Sequence, residues 1–278
     1  MLFRSESLNF PSPQSINGNA AVHIRSVGER LEVSPFDPNE LIYGLAEGAV
    51  GLYRTTDLGK NWTRIPVAGG HTGIKLVFYD RYKEGHFYVV LSGRGVYHTA
   101  NGGSSFSKVN ANAGDVRRMA QATNGAIYFT NRLVNNPGQG MVFRIKDGTC
   151  TNITNGIANV ERAGSGADLS ASHIHRVGLQ GVTTNPFDPM HVVVQGALMG
   201  GSPVPAYESK DGGNTWDRFQ ITIGDHTPWG GEYHVLLPTV SNIAWDPHDE
   251  NVIHHCDGFG VAQMHLNGND IVAHQRAH

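Results

Sequence analysis

An all-β fold made of repeated four-stranded antiparallel meanders is what this sequence predicts, on three observations. A polar turn recurs in one frame, as Thr55-Thr56-Asp57-Leu58-Gly59-Lys60-Asn61-Trp62, as Thr99-Ala100-Asn101-Gly102-Gly103-Ser104-Ser105-Phe106 and as Ser209-Lys210-Asp211-Gly212-Gly213-Asn214-Thr215-Trp216. The recurrence has a period: Asn101 lies 44 residues after Asp57, and Asp147, in a worn copy at Lys146-Asp147-Gly148-Thr149, lies 46 residues after Asn101. Finally, 35 glycines and 13 prolines in 278 residues punctuate many short apolar runs, which favours strands and tight turns over long helices.

The frame of the turn follows from its residues. The carboxylate of Asp57 or Asp211, or the amide of Asn101, accepts hydrogen bonds from turn N–H groups, and Gly59, Gly103 and Gly213 supply the positive φ that a Cβ opposes. The strand resumes at Trp62, Phe106 or Trp216, whose ring anchors the turn to a core. Burying ~150–250 Å² of ring at ~25 cal/mol per Å² gives roughly 4–6 kcal/mol as an upper bound, against ~1 kcal/mol for a turn hydrogen bond. Packing therefore holds the turn, the acid shapes it, and these residues read as structural.

In chain order, the first unit runs Leu31-Glu32-Val33, a turn at Pro35 to Asn39, Leu41-Ile42-Tyr43-Gly44, Gly51-Leu52-Tyr53-Arg54 and its polar turn. The second runs Lys75 to Phe78, a turn at Asp80 to Gly85, His86 to Leu91 and Gly95 to His98; the third, Arg118 to Ala120, a turn at Asn124-Gly125, Ala126 to Phe129 and Met141 to Arg144. A polar, Gly-rich insertion from Asn155 to Ser172 precedes the fourth, which reads Gly181 to Pro189, His191 to Val194 and Pro205 to Glu208. A fifth has Val240 to Pro247, Asn251 to Ile253 and Phe259 to Ala262, without a polar turn of this kind, and Met1 to Pro13 reads as outer strands of a preceding blade. Units of this period stacked side by side predict a single β-propeller domain over residues 1–278, of about five to seven blades and complete or partial; a β-sandwich of the same strands is the alternative.

The S-x-D-x-G-x-T-W frame, complete at Ser209 to Trp216, resembles the Asp-box, or BNR repeat, of sialidase-like β-propellers. Gly28-Glu29-Arg30-Leu31-Glu32-Val33-Ser34-Pro35, running on through Leu52 to Asp57, resembles the G-E-R-L-A-V-D-P segment and following box in the N-terminal propeller of glycoside hydrolase family 74, the xyloglucanase type. The Asn17-Gly18-Asn19 and Met141 to Ile145 segments suit that family too, and so does the order insertion, strand, Asn185-Pro186-Phe187-Asp188-Pro189, strand, box. The resemblance covers most of residues 28–262. It implies recognition or cleavage of a β-glucan such as xyloglucan, without cofactor, by two carboxylates, in an extracellular protein that pairs with a second propeller domain or protein chain. The family's catalytic aspartates match nothing between Met1 and His278, and its tryptophan-rich loop before the fourth box is here Leu198 to Pro203. A non-catalytic scaffold that binds glycan or protein is therefore the second reading.

Cleavage with inversion needs two carboxyl groups ~6.5–9.5 Å apart, one kept protonated. Glu29, Asp168, Glu232 and Asp257 lie outside the turns already assigned and are the candidates, each also readable as a solvated or turn-capping acid. Glu232 leads, because Trp229-Gly230-Gly231-Glu232-Tyr233-His234 sets an acid between aromatics; Trp229, Tyr233 and His234 are the candidate sugar contacts. His173 and His175, two apart on a strand, would face one side as zinc ligands do, although no Cys or Glu completes a set; His254 and His255 would face opposite sides. Arg64, in Thr63-Arg64-Ile65-Pro66, echoes a sialidase element but follows its box instead of preceding it. A net charge of −3 offers no footprint for nucleic acid. Cys150 and Cys256 make no disulfide framework and read as buried or free thiols. Met1 to Gln14 lacks the apolar core of a signal peptide, and no apolar run reaches membrane-spanning length, so the compartment stays open.

Overall fold

The structure, a computed structural model, describes residues 29–45, 50–67, 73–110, 116–131, 141–155, 157, 179–196, 206–219, 221–223, 242–256, 261–267 and 270–275. They form strands and turns only, in two compact units, residues 1–112 and 113–278.

The first unit holds two antiparallel meanders. One is β1 (Leu31–Val33), β2 (Leu41–Leu45), β3 (Gly51–Thr55) and β4 (Thr63–Ile65); the other is β5 (Ile74–Tyr79), β6 (Phe87–Leu91), β7 (Gly95–Thr99) and β8 (Ser107–Asn110), each hydrogen-bonded in chain order. Period-2 alternation sends Ile42 and Leu52 of the first sheet and Val77, Phe87 and Val89 of the second into one shared core. The sheets meet closely at Gly44, where a Cβ would lie 2.3 Å from Ile74 Cγ2. Leu31 and Val33, on the other face of β1, are exposed.

The second unit holds three sheets. β9 (Val116–Gln121), β10 (Ile127–Asn131), β11 (Val142–Lys146) and β12 (Thr149–Asn152) make the first, and β13 (Leu179–Thr184), β14 (Val192–Gly196), β15 (Ala206–Ser209) and β16 (Asp217–Phe219) the second. Tyr128, Val142, Ile153, Val182, Val192, Val194, Tyr207 and Trp216 fill the core between them. The third sheet departs from the four-strand expectation. β18 (Asn242–Trp245), β19 (Val252–Cys256), β20 (Val261–Asn267) and β21 (Asp270–Gln275) form its meander, and β17 (Ile221–Ile223), which follows β16 in sequence, pairs parallel to the outer strand β21. That pairing covers an edge whose N–H and C=O groups would otherwise stay open.

The turns joining first to second strands repeat one device. Ser34 Oγ accepts from Phe36 N and Asp37 N, Asn185 Oδ1 from Phe187 N and Asp188 N, and Asp246 Oδ1 from His248 N and Asp249 N. A short polar side chain before proline thus closes the turn together with its backbone bonds, such as Ser34 N to Glu40 O and Asn185 N to His191 O. At the worn copy the structure differs from the sequence expectation. Lys146 pairs directly with Thr149, leaving a two-residue hairpin with Asp147 at φ 50° and Gly148 at φ 77°. With neither the hydroxyl nor the aromatic of the frame, the Asp-Gly pair takes the short turn that positive φ at both positions favours.

Candidate functional site

The recurrent turns are the best-defined polar constellations among the described residues. In the one after β15, Ser209 Oγ donates to Asp211 Oδ1 at 2.8 Å and accepts from Gly213 N at 2.7 Å. Asp211 Oδ1 also accepts from Asn214 N and Thr215 N, both at 2.9 Å, and Oδ2 from Thr215 Oγ1 at 2.6 Å. The Thr215 hydroxyl and N–H are the main reason the Asp211 carboxyl is held down at about 2. Asp57 sits at about 2 in the same way, chiefly through Asn61 N, with Thr55 Oγ1 and Asn61 Nδ2 as further donors. At Asn101 one polarity is inverted: Oδ1 accepts from Ser105 N and Thr99 Oγ1, while Nδ2 donates to Ser105 Oγ. Gly59 N and Gly103 N close on Thr55 Oγ1 and Thr99 Oγ1, and the φ values of Gly59, Gly103 and Gly213 are 80°, 92° and 89°.

Two of the turns are also bound to a neighbouring sheet. Arg144 Nη1 donates to Gly212 O at 2.7 Å, Tyr128 OH to the same oxygen at 3.3 Å, and Trp216 Nε1 to Ile153 O at 2.8 Å. In the first unit Arg54 Nη1 reaches Gly102 O at 3.4 Å, and Phe106 packs edge-on against Phe87, ring centres 5.7 Å apart. Trp62 packs within its own sheet, 6.2 Å from the Tyr43 ring of β2. The acids of these turns bond to their own turns.

Replacing Asp211 by Ala lowers the unfolding free energy by about 1–2 kcal/mol, as loss of a capping acceptor does, measured by urea denaturation at neutral pH. A carboxyl depressed on folding contributes stability above its unfolded pKa, and that stability is lost as pH falls through the folded one. The difference between the wild-type chain and Asp211→Asn therefore holds down to about pH 4 and shrinks between about pH 4 and 2. A difference that vanishes already at pH 6 contradicts this assignment.

Beside the turns lies a set of polar pairs that sequence reading missed. The residue before the second strand meets the residue one before the end of the third. Glu40 pairs with Arg54 and accepts from Tyr79 OH at 2.6 Å; His86 Nδ1 lies 3.1 Å from His98 Nε2; His191 Nε2 bonds Glu208, which Lys210 Nζ approaches at 3.4 Å. Burial, then the nearby His86, holds His98 below the usual histidine range. One position thus carries acid–base, His–His and His–acid pairs in different sheets, which marks it as a bridge between strands. Its signal in the sequence was the polar residue three before each turn acid.

Of the candidate acids, Glu29 is described. It is exposed at the start of β1, and its carbonyl accepts from Val77 N at 2.9 Å. Three residues on, Glu32 is raised to about 7, first by burial and then by Glu29, against the lowering effect of Arg81. It is the carboxyl among the described residues whose protonation suits a general acid, and it stands where the family segment carries Ala. Asp168, Glu232, Asp257, Trp229, Tyr233, His234, His173 and His175 lie outside the described residues, as do Met1 to Pro13 and Leu198 to Pro203. Among the described residues no three of His, Cys, Asp and Glu converge as metal ligands, and His254 Nε2 bonds Asp246 Oδ2 at 2.8 Å. Arg64 Nη2 donates to Val50 O at 2.9 Å, and Cys150 is half-buried and in no disulfide.

Four-stranded antiparallel sheets of this connectivity, three of them with the polar turn between third and fourth strands, define the class as a β-propeller. No family model matches the chain. It is 30% identical over 244 residues to the "Probable oligoxyloglucan-reducing end-specific xyloglucanase" of Neosartorya fischeri, covering 74% of this chain and 29% of that protein. In structure it is similar to the GH74 enzyme of Niastella koreensis, with a TM-score of 0.70 and 22% identity, and to the GH74 xyloglucanase of Xanthomonas campestris, with 0.67 and 21%. Each likeness covers 89% of this chain and 38% of the other. The chain therefore spans roughly a third of the length of these proteins, and the structural likeness shows the fold.

Proposed function

We propose that this chain is a glycan-recognising β-propeller of the family 74 type, that its recurrent turns are Asp boxes, and that its ligand is a xyloglucan-type β-glucan. The observation that carries the reading is the 30% identity over 244 residues with a protein named as a xyloglucanase. The blade architecture common to this chain and GH74 structures supports it. Family chemistry needs two carboxyl groups across the glycosidic bond, one protonated. This chain offers Glu32, a carboxyl raised to about 7 by burial and by the neighbouring Glu29, which is exposed. Recognition is the role proposed for this chain, with cleavage using carboxylates of a further propeller domain or protein chain.

The test is direct. The purified chain is expected to bind xyloglucan oligosaccharides in calorimetric titration, without releasing reducing sugar from xyloglucan. Failure of the folded, monodisperse chain to bind any xyloglucan or mixed-linkage β-glucan oligosaccharide refutes the reading. Release of reducing sugar that Glu232→Gln abolishes would make the isolated chain a hydrolase instead. Binding of a protein partner with no affinity for glycan would favour the scaffold reading, which rests on the missing tryptophans at Leu198 to Pro203.

A further inference from the structure

His86 directly precedes β6, and His98 is the fourth residue of β7. His98 pairs across the ladder with Tyr88, so His86 stands two residues along the neighbouring strand, on the same face. Backbone bonds fix its entry into that strand: His86 N donates to Lys83 O at 3.1 Å, and Asp80 N to His86 O at 3.0 Å. The His98 ring centre lies 4.7 Å from that of Tyr88 and 5.1 Å from that of His86, and both histidines are partly exposed. The two imidazoles are thus held side by side where solvent reaches them, with His86 Nδ1 3.1 Å from His98 Nε2.

This pair differs in kind from its counterparts in other sheets. Glu40 meets Arg54 and His191 meets Glu208, each a basic group against an acid. Arg54 is further committed to Gly102 O, and Arg144, which like His98 stands three residues before its turn acid, to Gly212 O. Two imidazoles gain no such attraction. What they offer together is a pair of nitrogen lone pairs, and imidazole is a ligand for Zn²⁺, Cu²⁺ and Ni²⁺. Nitrogens bound to one ion at ~2.1 Å stand ~3.0 Å apart at a right angle and ~3.4 Å apart at the tetrahedral angle. The observed 3.1 Å lies nearer the first, the arrangement that suits Cu²⁺ and Ni²⁺. Burial, then His86, holds His98 below the usual histidine range against the raising effect of Asp80, which favours the neutral ring that a metal needs.

We propose that His86 Nδ1 and His98 Nε2 form a two-histidine binding site for a divalent transition-metal ion of the Cu²⁺ or Ni²⁺ type, with water in its other positions. Each ring then carries its N–H on the far nitrogen, Nε2 of His86 and Nδ1 of His98, so the neutral pair loses no proton. One hydrogen bond between the rings is exchanged for two bonds to the ion, at a nitrogen separation the strands already hold.

The probe is Ni²⁺, in calorimetric titration at neutral pH of the wild-type chain, of His86→Gln, of His98→Gln and of the double variant. Affinity is expected to fall about tenfold or more in each single variant, at least what loss of an outer-shell partner costs. The double variant is expected to fall no further, because one ion needs both rings. Affinity within about twofold of wild type in either folded single variant overturns the proposal. Losses that add in the double variant also overturn it, since they mark two separate sites. The place of binding is read independently on the wild-type chain, by diethyl pyrocarbonate labelling located by peptide mass spectrometry. Ni²⁺ is expected to slow the modification of His86 and His98 together. Labelling of either histidine that Ni²⁺ leaves unchanged overturns the proposal even if neither variant folds, and so does a folded wild-type chain that binds neither Ni²⁺ nor Cu²⁺.

Discussion

Trp216→Ala lowers the unfolding free energy by about 3–5 kcal/mol, the cost of truncating a large buried aromatic. The ring is 6% exposed and packs in the core of the second unit with Tyr128, Ile153, Val192 and Tyr207. Two effects act in the same direction. Removing the indole leaves a cavity between two sheets that meet on strands fixed by their own hydrogen bonds, so collapse is limited. It also strips the Ile153 carbonyl of its Nε1 donor, and a buried acceptor left unpaired adds about 1–3 kcal/mol. Trp216→Phe keeps most of the volume and loses the donor, so it is expected to fall between Ala and wild type. Urea unfolding followed by circular dichroism measures all three, and a loss below about 1 kcal/mol for Trp216→Ala would show that the turn is held by its hydrogen bonds rather than by its anchor.

Gly213→Ala is expected to be nearly as severe, at about 2–5 kcal/mol, from two separable causes. Its φ of 89° is one that an L side chain rarely adopts. The added methyl would also lie 2.4 Å from Ile153 Cδ1 and 3.3 Å from Trp216 Cζ2, against the same core that the indole fills. Gly148→Ala separates the causes, because Gly148 has φ 77° and nothing within 4 Å of its would-be Cβ. That control is expected to cost only about 1–2 kcal/mol, the conformational part. Equal losses at the two glycines would refute the packing argument. Gly103, at φ 92° with a would-be Cβ 2.9 Å from Ile65 Cγ2, repeats the arrangement in the first unit.

The blades and their turns were legible because their causes are local. A short apolar run bounded by turn residues, as in Leu41 to Leu45 or Val192 to Gly196, names a strand, and the acid, hydroxyl and glycine of Ser209 to Gly213 lie within hydrogen-bonding reach of one another along the chain. Period did mislead at Asp147. The spacing fitted a fourth copy, but without a hydroxyl at the first position or an aromatic at the last the chain closed a two-residue hairpin. The candidate site was legible only as residue types. Glu29 stood out as an acid outside the turns, while Glu32 did not, because its raised pKa comes chiefly from what buries it.

By itself, then, the sequence determined the class of this protein: repeated antiparallel meanders, the frame of their turns, and a likeness to the xyloglucanase type. Only the tertiary structure decided what those turns hold. Arg144 meets Gly212 across 68 residues of chain, Trp216 meets Ile153 across 63, and β17 joins β21 instead of its own sheet. The Glu32 carboxyl is pushed up to about 7 for the same reason. Hydrogen bonding within a turn is set by neighbours in sequence, whereas burial and pairing are set by which sheet faces which.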